Sequence, residues 1–299
     1  FGVLKETSLE KEQIDAVFFG NMMSGVLENN LHSPSKIAEI MSGHIPVFRV
    51  EAACASGGTA FHMAVKYLEA NAGKTVIVMG AEKMTDFSPE EVISALTSAS
   101  SGEEQEAGIT FAGLYAMMAQ VYLTKYHYSK KNLSYVSYKN HYHGSLNDKA
   151  QFRRKITQQE AISSPLIAYP LGVLDCSPIS DGASAIILTS DKNLLSKKNK
   201  VIKVLSSEVA TDTISLKNRR YIDGIEASNI AADKAFEKAS CKRGEIQVAE
   251  VHDCFTIAEL FAMEDLGFWK KGTAGRKITS LDTMLGNGGK LIVNTSGGL

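Results

Sequence analysis

The chain has 299 residues, 44% of them apolar, with 32 lysines and arginines against 33 aspartates and glutamates. A formal net charge of −1 excludes an overall polyanion binder and an acidic solvating tail, and the apolar content is ample for one large domain or two fused halves. No apolar run approaches the roughly 20 residues that span a bilayer, and the start FGVLKET lacks a signal-peptide layout. Cys54, Cys176, Cys241 and Cys254 stand far apart without CxxC pairs, which excludes a secreted disulfide scaffold. A reducing, cytoplasmic setting is the expectation, in which a notable cysteine is chemical rather than structural.

In chain order, KEQIDAVFFGN (11–21) runs from a charged turn into a β-rich stretch. Apolar β-branched runs at 47–50 and 75–79 predict buried strands, and 57–70 predicts a helix with His62, Lys66 and Glu69 on one stripe. Strand, helix, strand is a βαβ unit, which implies a parallel sheet with covering helices. From Asp86 to Tyr169 the pattern breaks into a segment rich in Ser, Gln, Tyr and His. Within it, 125–155 holds eight basic residues against Asp148 alone, a net charge of +7, and His141 and His143 are expected to be solvated there. Strands are then predicted at 184–189, 201–205 and 248–251, and helices at 228–240 and 256–266, the last stopped by Gly267 and Phe268.

Two short echoes suggest a duplicated half: KEQIDAVFFGN with RGEIQVAEVHDC (243–254), and CASGG (54–58) with NTSGG (294–298). If the halves are equivalent, these 299 residues lack an opening strand and helix and a closing helix and strands.

Cys54 falls where a strand (VFRVEAA) ends and a helix begins, followed by Ser56, Gly57 and Gly58. A sulfur at a helix N-terminus meets N–H groups and a dipole that favour an anion, lowering the thiol pKa and making a nucleophile. The glycines let a substrate approach, and the Cys54 N–H can act as an oxyanion donor. The alternative is a small buried hydrophobe, the commonest fate of an intracellular cysteine. His252-Asp253-Cys254-Phe255 forms a second strand-to-helix junction: a proton-handling pair, or a capping aspartate beside a satisfied core histidine. Only His252 and Cys254 are local, so no metal site is expected. Cys176 and Cys241 have no neighbouring base and read as structural. The absence of a strand-ending Gly-x-Ser-x-Gly, a P-loop and a strand-following GxGxxG argues against an elbow-type serine hydrolase and against nucleotide chemistry.

The segments EAACASGGTA (51–60), VIVMGAEKMTD (76–86), LDCSPISDGASAIIL (174–188), AEVHDCFTIAELFAMEDLGF (249–268) and NTSGGL (294–299) resemble the thiolase superfamily. Within it they are similar to sterol-carrier-protein-type thiolases and archaeal acetyl-CoA acetyltransferases. The resemblance implies an α/β thiolase fold, two similar halves in five layers (αβαβα) with an inserted loop domain. The halves are then 1–85 with 170–190, and 191–299, around an insert at 86–169.

It also implies an acyltransferase, an acetyl-CoA C-acetyltransferase or thiolase. Cys54 is then the nucleophile that takes the acyl group. His252 stands where most thiolases have an Asn that orients an oxyanion-hole water, Cys254 is an acid/base for the α-proton, and Phe255 lines the acyl pocket. Gly297 and Gly298 are expected to bind substrate. Coenzyme A thioesters are the implied substrates, with no tightly bound cofactor, and the basic stretch is expected to meet the phosphates of coenzyme A. A homodimer or homotetramer, partner proteins of a thiolase complex and a place in lipid metabolism are further expectations, without nucleic acid or membrane partners. The family's GHP histidine and CxG cysteine lie beyond the NxSGG segment, so they are expected after Leu299, missing from these residues rather than from the protein. The alternative is a non-catalytic thiolase-like subunit that binds coenzyme A.

Overall fold

The computed structural model describes residues 2–41, 44–198 and 200–299. In chain order the elements begin with α1 (Gly2–Thr7), β1 (Ala16–Gly20), α2 (Ser33–Ile40), β2 (Val47–Val50), α3 (Ser56–Ala70), β3 (Thr75–Glu82) and α4 (Pro89–Thr97). There follow α5 (Gly102–Glu106), α6 (Phe111–Lys125), α7 (Lys130–Gly144), α8 (Gln158–Ser163), β4 (Leu166–Ala168), β5 (Leu171–Gly172), β6 (Gly182–Thr189) and α9 (Lys192–Ser196). The last are α10 (Glu226–Ala239), β7 (Val248–Ala249), α11 (Thr256–Asp265), α12 (Ala274–Lys277) and β8 (Ile292–Val293). They divide between two compact units, Phe1–Ala95 with Ile179–Val209, and Leu96–Pro178 with Ala210–Leu299.

The first unit is built on a four-stranded sheet in the order β2-β1-β3-β6. β1 (AVFFG) is buried along its whole length, as an apolar run should be when both faces of a parallel strand are covered. It pairs in parallel with β2 and β3, in the register Phe18↔Phe48 and Phe18↔Val78. The alternation of side chains sends Ala16, Phe18, Val76 and Val78 to one face, with Ala60 and Ala64 of α3. Val17 and Ile77 go to the other, with Leu4, Leu9, Ile14 and Met41. The βαβ unit is therefore as expected, with α3 starting one residue earlier than predicted. β6, whose direction the local pattern leaves open, runs antiparallel to β3 from Thr75↔Thr189 to Glu82↔Gly182. Strand content is readable in a sequence, but strand direction depends on where the chain returns from.

A correction concerns 201–205. The backbone there carries no strand, and Ile202 is 97% exposed. An apolar β-branched run becomes a strand only beside an edge that accepts its hydrogen bonds.

The second unit has a helical core. α6, α7 and α11 surround Tyr122, Leu133, Ile257, Leu260 and Phe261, all shielded from solvent. α11 (TIAELFAMED) is buried nearly all round, and Gly267, at φ +77, ends it as predicted. The segment that broke the sequence pattern is thus mostly helix. Among the described residues no helix is long and apolar enough to cross a membrane.

Candidate active site

In the first unit, β2 leads through Glu51 to Ala53 into α3, and Cys54 lies in that turn. Ala53 adopts φ +47, a left-handed conformation that costs a non-glycine residue energy and is held by its neighbours. Those neighbours are local: Ala53 N donates to Glu51 Oε1 (2.6 Å), Ala52 N to Ser56 Oγ (2.9 Å), and Ser56 Oγ to Ala53 O (2.6 Å). The first hydrogen bond into α3 runs from Thr59 N to Ala55 O at 2.8 Å, so the amides of Gly57 and Gly58 lie in its open first turn. No atom lies within 4 Å of where a side chain on either glycine would begin, which leaves the floor beside the turn open. On the sheet side the fit is close. A Cβ on Gly20, at the end of β1, would stand 2.8 Å from the backbone of Gly57, so the α3 terminus can dock on β1 only over a glycine.

Cys54 reaches solvent, yet the protein packed around the sulfur desolvates it. That pushes the thiol above its ordinary pKa, against the smaller pull of a backbone hydrogen bond. The expected lowering by the helix N-terminus is thus overturned: Cys54 sits before the cap, Ala55, outside the first turn where the dipole acts. A resting thiol needs a base before it can attack.

In the second unit, the 252–255 segment leads into α11. Its backbone is stapled to 175–177: Cys176 and Phe255 form an antiparallel bridge, and Ser177 N donates to Cys254 O at 3.0 Å. Asp175 accepts from Thr256 Oγ1 (3.0 Å) and Gly172 N (2.9 Å), a carboxylate at the start of α11. Cys176, read as structural, is therefore a neighbour of the segment, and burial pushes its thiol up to about 12. His252 is exposed at its surface, while the surrounding protein lowers its pKa and favours the neutral imidazole. Cys254 is 6% exposed. The ring of Phe255 lies 4.7 Å from that of Tyr115 and 6.2 Å from that of Phe111, centroid to centroid.

Beneath this segment lies a polar network that sequence reasoning missed. Lys139, fully buried on α7, pairs with the equally buried Glu259 of α11 at 3.1 Å and donates to Val293 O at 2.9 Å. Asn140 Nδ2 donates to Asp253 Oδ2 (2.7 Å) and Glu259 Oε2 (2.9 Å). Asn294, at φ +55, donates from Nδ2 to Glu259 Oε2 (2.9 Å) and accepts from Val251 N at Oδ1 (2.8 Å). Asp253 Oδ1 takes Leu299 N at 2.9 Å. Burial, with the charge of Glu259 added, raises Asp253 to about 7. Gly297 and Gly298 are pressed against this network. A Cβ on Gly298 would come 2.2 Å from Asp253 Oδ2, and one on Gly297 2.6 Å from Gly144 Cα.

His143 corrects an expectation. It is fully buried rather than solvated, with Nδ1 against Asn294 O (2.8 Å) and Nε2 accepting from Leu285 N (2.8 Å). Those partners fix the neutral tautomer with its proton on Nδ1, and burial lowers its pKa accordingly. The sequence signal was present: Ser137, Asn140, His143 and Gly144 recur at helical spacing, a buried polar stripe in place of an apolar one. The basic stretch is also less uniform than its sum. Lys139 is internal, while Lys131, Lys149, Arg153 and Lys155 are exposed and have no acidic partner within 4 Å among the described residues. Among those residues no group of three or more metal-ligating side chains occurs.

Known proteins resemble the chain in sequence and in fold. Residues 2–192 match the family described as thiolase, N-terminal domain, and residues 209–299 the thiolase C-terminal domain-like family. An acetyl-CoA acetyltransferase of Methanothermobacter thermautotrophicus is 40% identical over 300 residues, covering 100% of this chain and 77% of the relative. Sterol carrier protein 2 of Gallus gallus is 31% identical over 271 residues, 85% of this chain and 49% of that protein. The solved Ltp2-ChsH2(DUF35) aldolase shares the fold at a TM-score of 0.77 and 22% identity, over 99% of this chain and 76% of that one. The thiolase domains and the identity to acetyl-CoA acetyltransferases place the chain among enzymes of the acyltransferase class. The chain belongs to the thiolase family.

Proposed function

We propose that this thiolase makes and breaks the carbon–carbon bond of 3-ketoacyl-CoA thioesters, with acetyl-CoA as the two-carbon partner and the acyl group carried on Cys54. The observation that carries the reading is the 40% identity, over the whole chain, to an acetyl-CoA acetyltransferase. In the cleavage direction the Cys54 thiolate attacks the 3-keto carbon and the C2–C3 bond breaks. Its electron pair passes to an enolate of acetyl-CoA, which takes a proton at C2. A molecule of coenzyme A then attacks the acyl-enzyme, releasing acyl-CoA and the Cys54 thiol. Splitting the reaction at a covalent intermediate replaces one hard step by two easier ones.

For His252 we propose the role of hydrogen-bond donor to the developing oxyanion, supported by the neutral state that desolvation favours. Cys254 is the proposed acid/base for C2, Phe255 the wall of the acyl pocket together with Tyr115, and Gly297 and Gly298 part of the substrate-binding turn. The exposed Lys131, Lys149, Arg153 and Lys155 are the proposed contacts for the phosphates of coenzyme A. The proposal extends to a cytoplasmic homodimer or homotetramer acting in lipid metabolism, and to the division into halves (1–85 with 170–190, and 191–299) around an inserted loop domain (86–169).

The test is turnover of acetoacetyl-CoA and coenzyme A by the full-length protein, with mass spectrometry of the peptide containing Cys54. Cleavage with an acetylated Cys54 is expected, and Cys54→Ala should lower kcat by at least about 1,000-fold. The absence of both turnover and acylation would remove the enzyme reading, and acylation without turnover would leave a coenzyme-A-binding subunit.

A further inference from the structure

Helix α7 presents polar side chains to the interior of its unit, and each holds a different segment. Ser137 Oγ donates to Leu174 O at 2.7 Å, Lys139 reaches Glu259 and Val293 O, and His143 holds Asn294 O. Asn140 stands in the middle with its oxygen and both amide hydrogens engaged. Its Oδ1 accepts from Lys139 Nζ, and its two Nδ2 hydrogens go to Asp253 Oδ2 at 2.7 Å and Glu259 Oε2 at 2.9 Å. A carboxamide alone suits this place, because it faces an ammonium with an oxygen and two carboxylates with hydrogens. Leucine would leave buried partners unsatisfied, and aspartate would set a third carboxylate against the other two.

Asp253 links Asn140 to the chemistry. It lies between His252 and Cys254 in sequence, and its other oxygen takes Leu299 N at 2.9 Å, so one carboxylate ties the 252–255 segment to the 294–299 turn. We propose that Asn140 is a positioning residue of the thiolase reaction, acting through Asp253 to set the backbone that carries His252 and Cys254. This rests on the function proposed above. Asn140 touches no reacting atom; it holds in register the groups that do, and a displacement of those groups acts on the chemical step more than on binding.

The test is steady-state thiolysis of acetoacetyl-CoA by the full-length protein, normalised to acylatable Cys54, for Asn140→Asp, Asp253→Asn and the double exchange. Each single variant is expected to lower kcat by about 10- to 100-fold, with KM for coenzyme A and acetoacetyl-CoA within about twofold of wild type. The double exchange is expected to recover only part of that loss: donor and acceptor trade places between 140 and 253, and residue 253 still accepts from Leu299 N, but the new carboxylate at 140 then faces Glu259 Oε2 in place of a donor. A merely structural role would reduce the amount of titratable enzyme and leave kcat per site unchanged. Single variants with wild-type kcat per site overturn the proposal. If Asn140→Asp does not fold, Asn140→Ser, which adds no charge, takes its place: a lowered kcat per site supports the proposal and a wild-type value overturns it. A wild type without thiolysis instead removes the thiolase reading and this one with it, whereas an active wild type with unaffected variants removes only this one.

Discussion

In the proposed reaction Cys54 is prepared by its backbone more than by its electrostatics. The left-handed Ala53 and the Ser56 hydroxyl shape the turn, while desolvation holds the sulfur protonated. The sign of the pH dependence follows: thiolate accumulates only as pH rises through a raised pKa. Alkylation of Cys54 by iodoacetamide, followed by mass spectrometry in the unliganded protein, should therefore accelerate with an inflection above that of an ordinary thiol. An inflection below it would restore a helix-activated cysteine. Gly20 works at the same scale. Gly20→Ala places a methyl 2.8 Å from the Gly57 backbone, which cannot rotate away. The expected cost is about 1–3 kcal/mol in urea unfolding, accompanied by lost activity as the turn shifts.

At the level of elements, α7 and α11 are joined by a buried ion pair rather than by apolar interdigitation alone. Lys139 and Glu259 are both without solvent exposure. Removing one partner strands the other charge, so Lys139→Met should destabilise the protein by about 3–5 kcal/mol in chemical denaturation. Lys139→Met combined with Glu259→Leu should recover part of that loss, since an apolar pair carries no desolvation penalty. A single substitution that costs less than about 1 kcal/mol would mean that water or a proton compensates Glu259. Asp175 at the start of α11 and the bridge between Cys176 and Phe255 are further ties on this element. The segment before α11 is thus fixed from two sides, by 175–177 and by α7.

Over the whole molecule the near-zero net charge conceals an uneven distribution. Among the described residues Lys131, Lys149, Arg153 and Lys155 are exposed without acidic partners within 4 Å, whereas Lys139 is paired inside with Glu259. If the exposed group meets phosphates, KM for coenzyme A should climb with ionic strength while kcat stays level. Lys149→Ala with Arg153→Ala should raise KM at low salt and flatten its salt dependence. An unchanged KM in that variant would place coenzyme A elsewhere.

Much of the architecture was legible in local pattern. β2 falls on the predicted residues, α3 begins one residue early, Gly267 ends α11, and the CASGG and HDCF junctions lie where strands give way to helices. Those features depend on near neighbours: side-chain period, turn chemistry and helix stops. The failures share one cause. The run at 201–205 has β-branched residues and no edge, the direction of β6 leaves no local mark, and His143 and Lys139 look on paper like any solvated base. By itself the sequence determined the class of fold, the family and the candidate nucleophile. The tertiary structure alone decided which charges are buried, because Lys139 and Glu259 are 120 residues apart in the chain, and pairing across that distance leaves no local period to read.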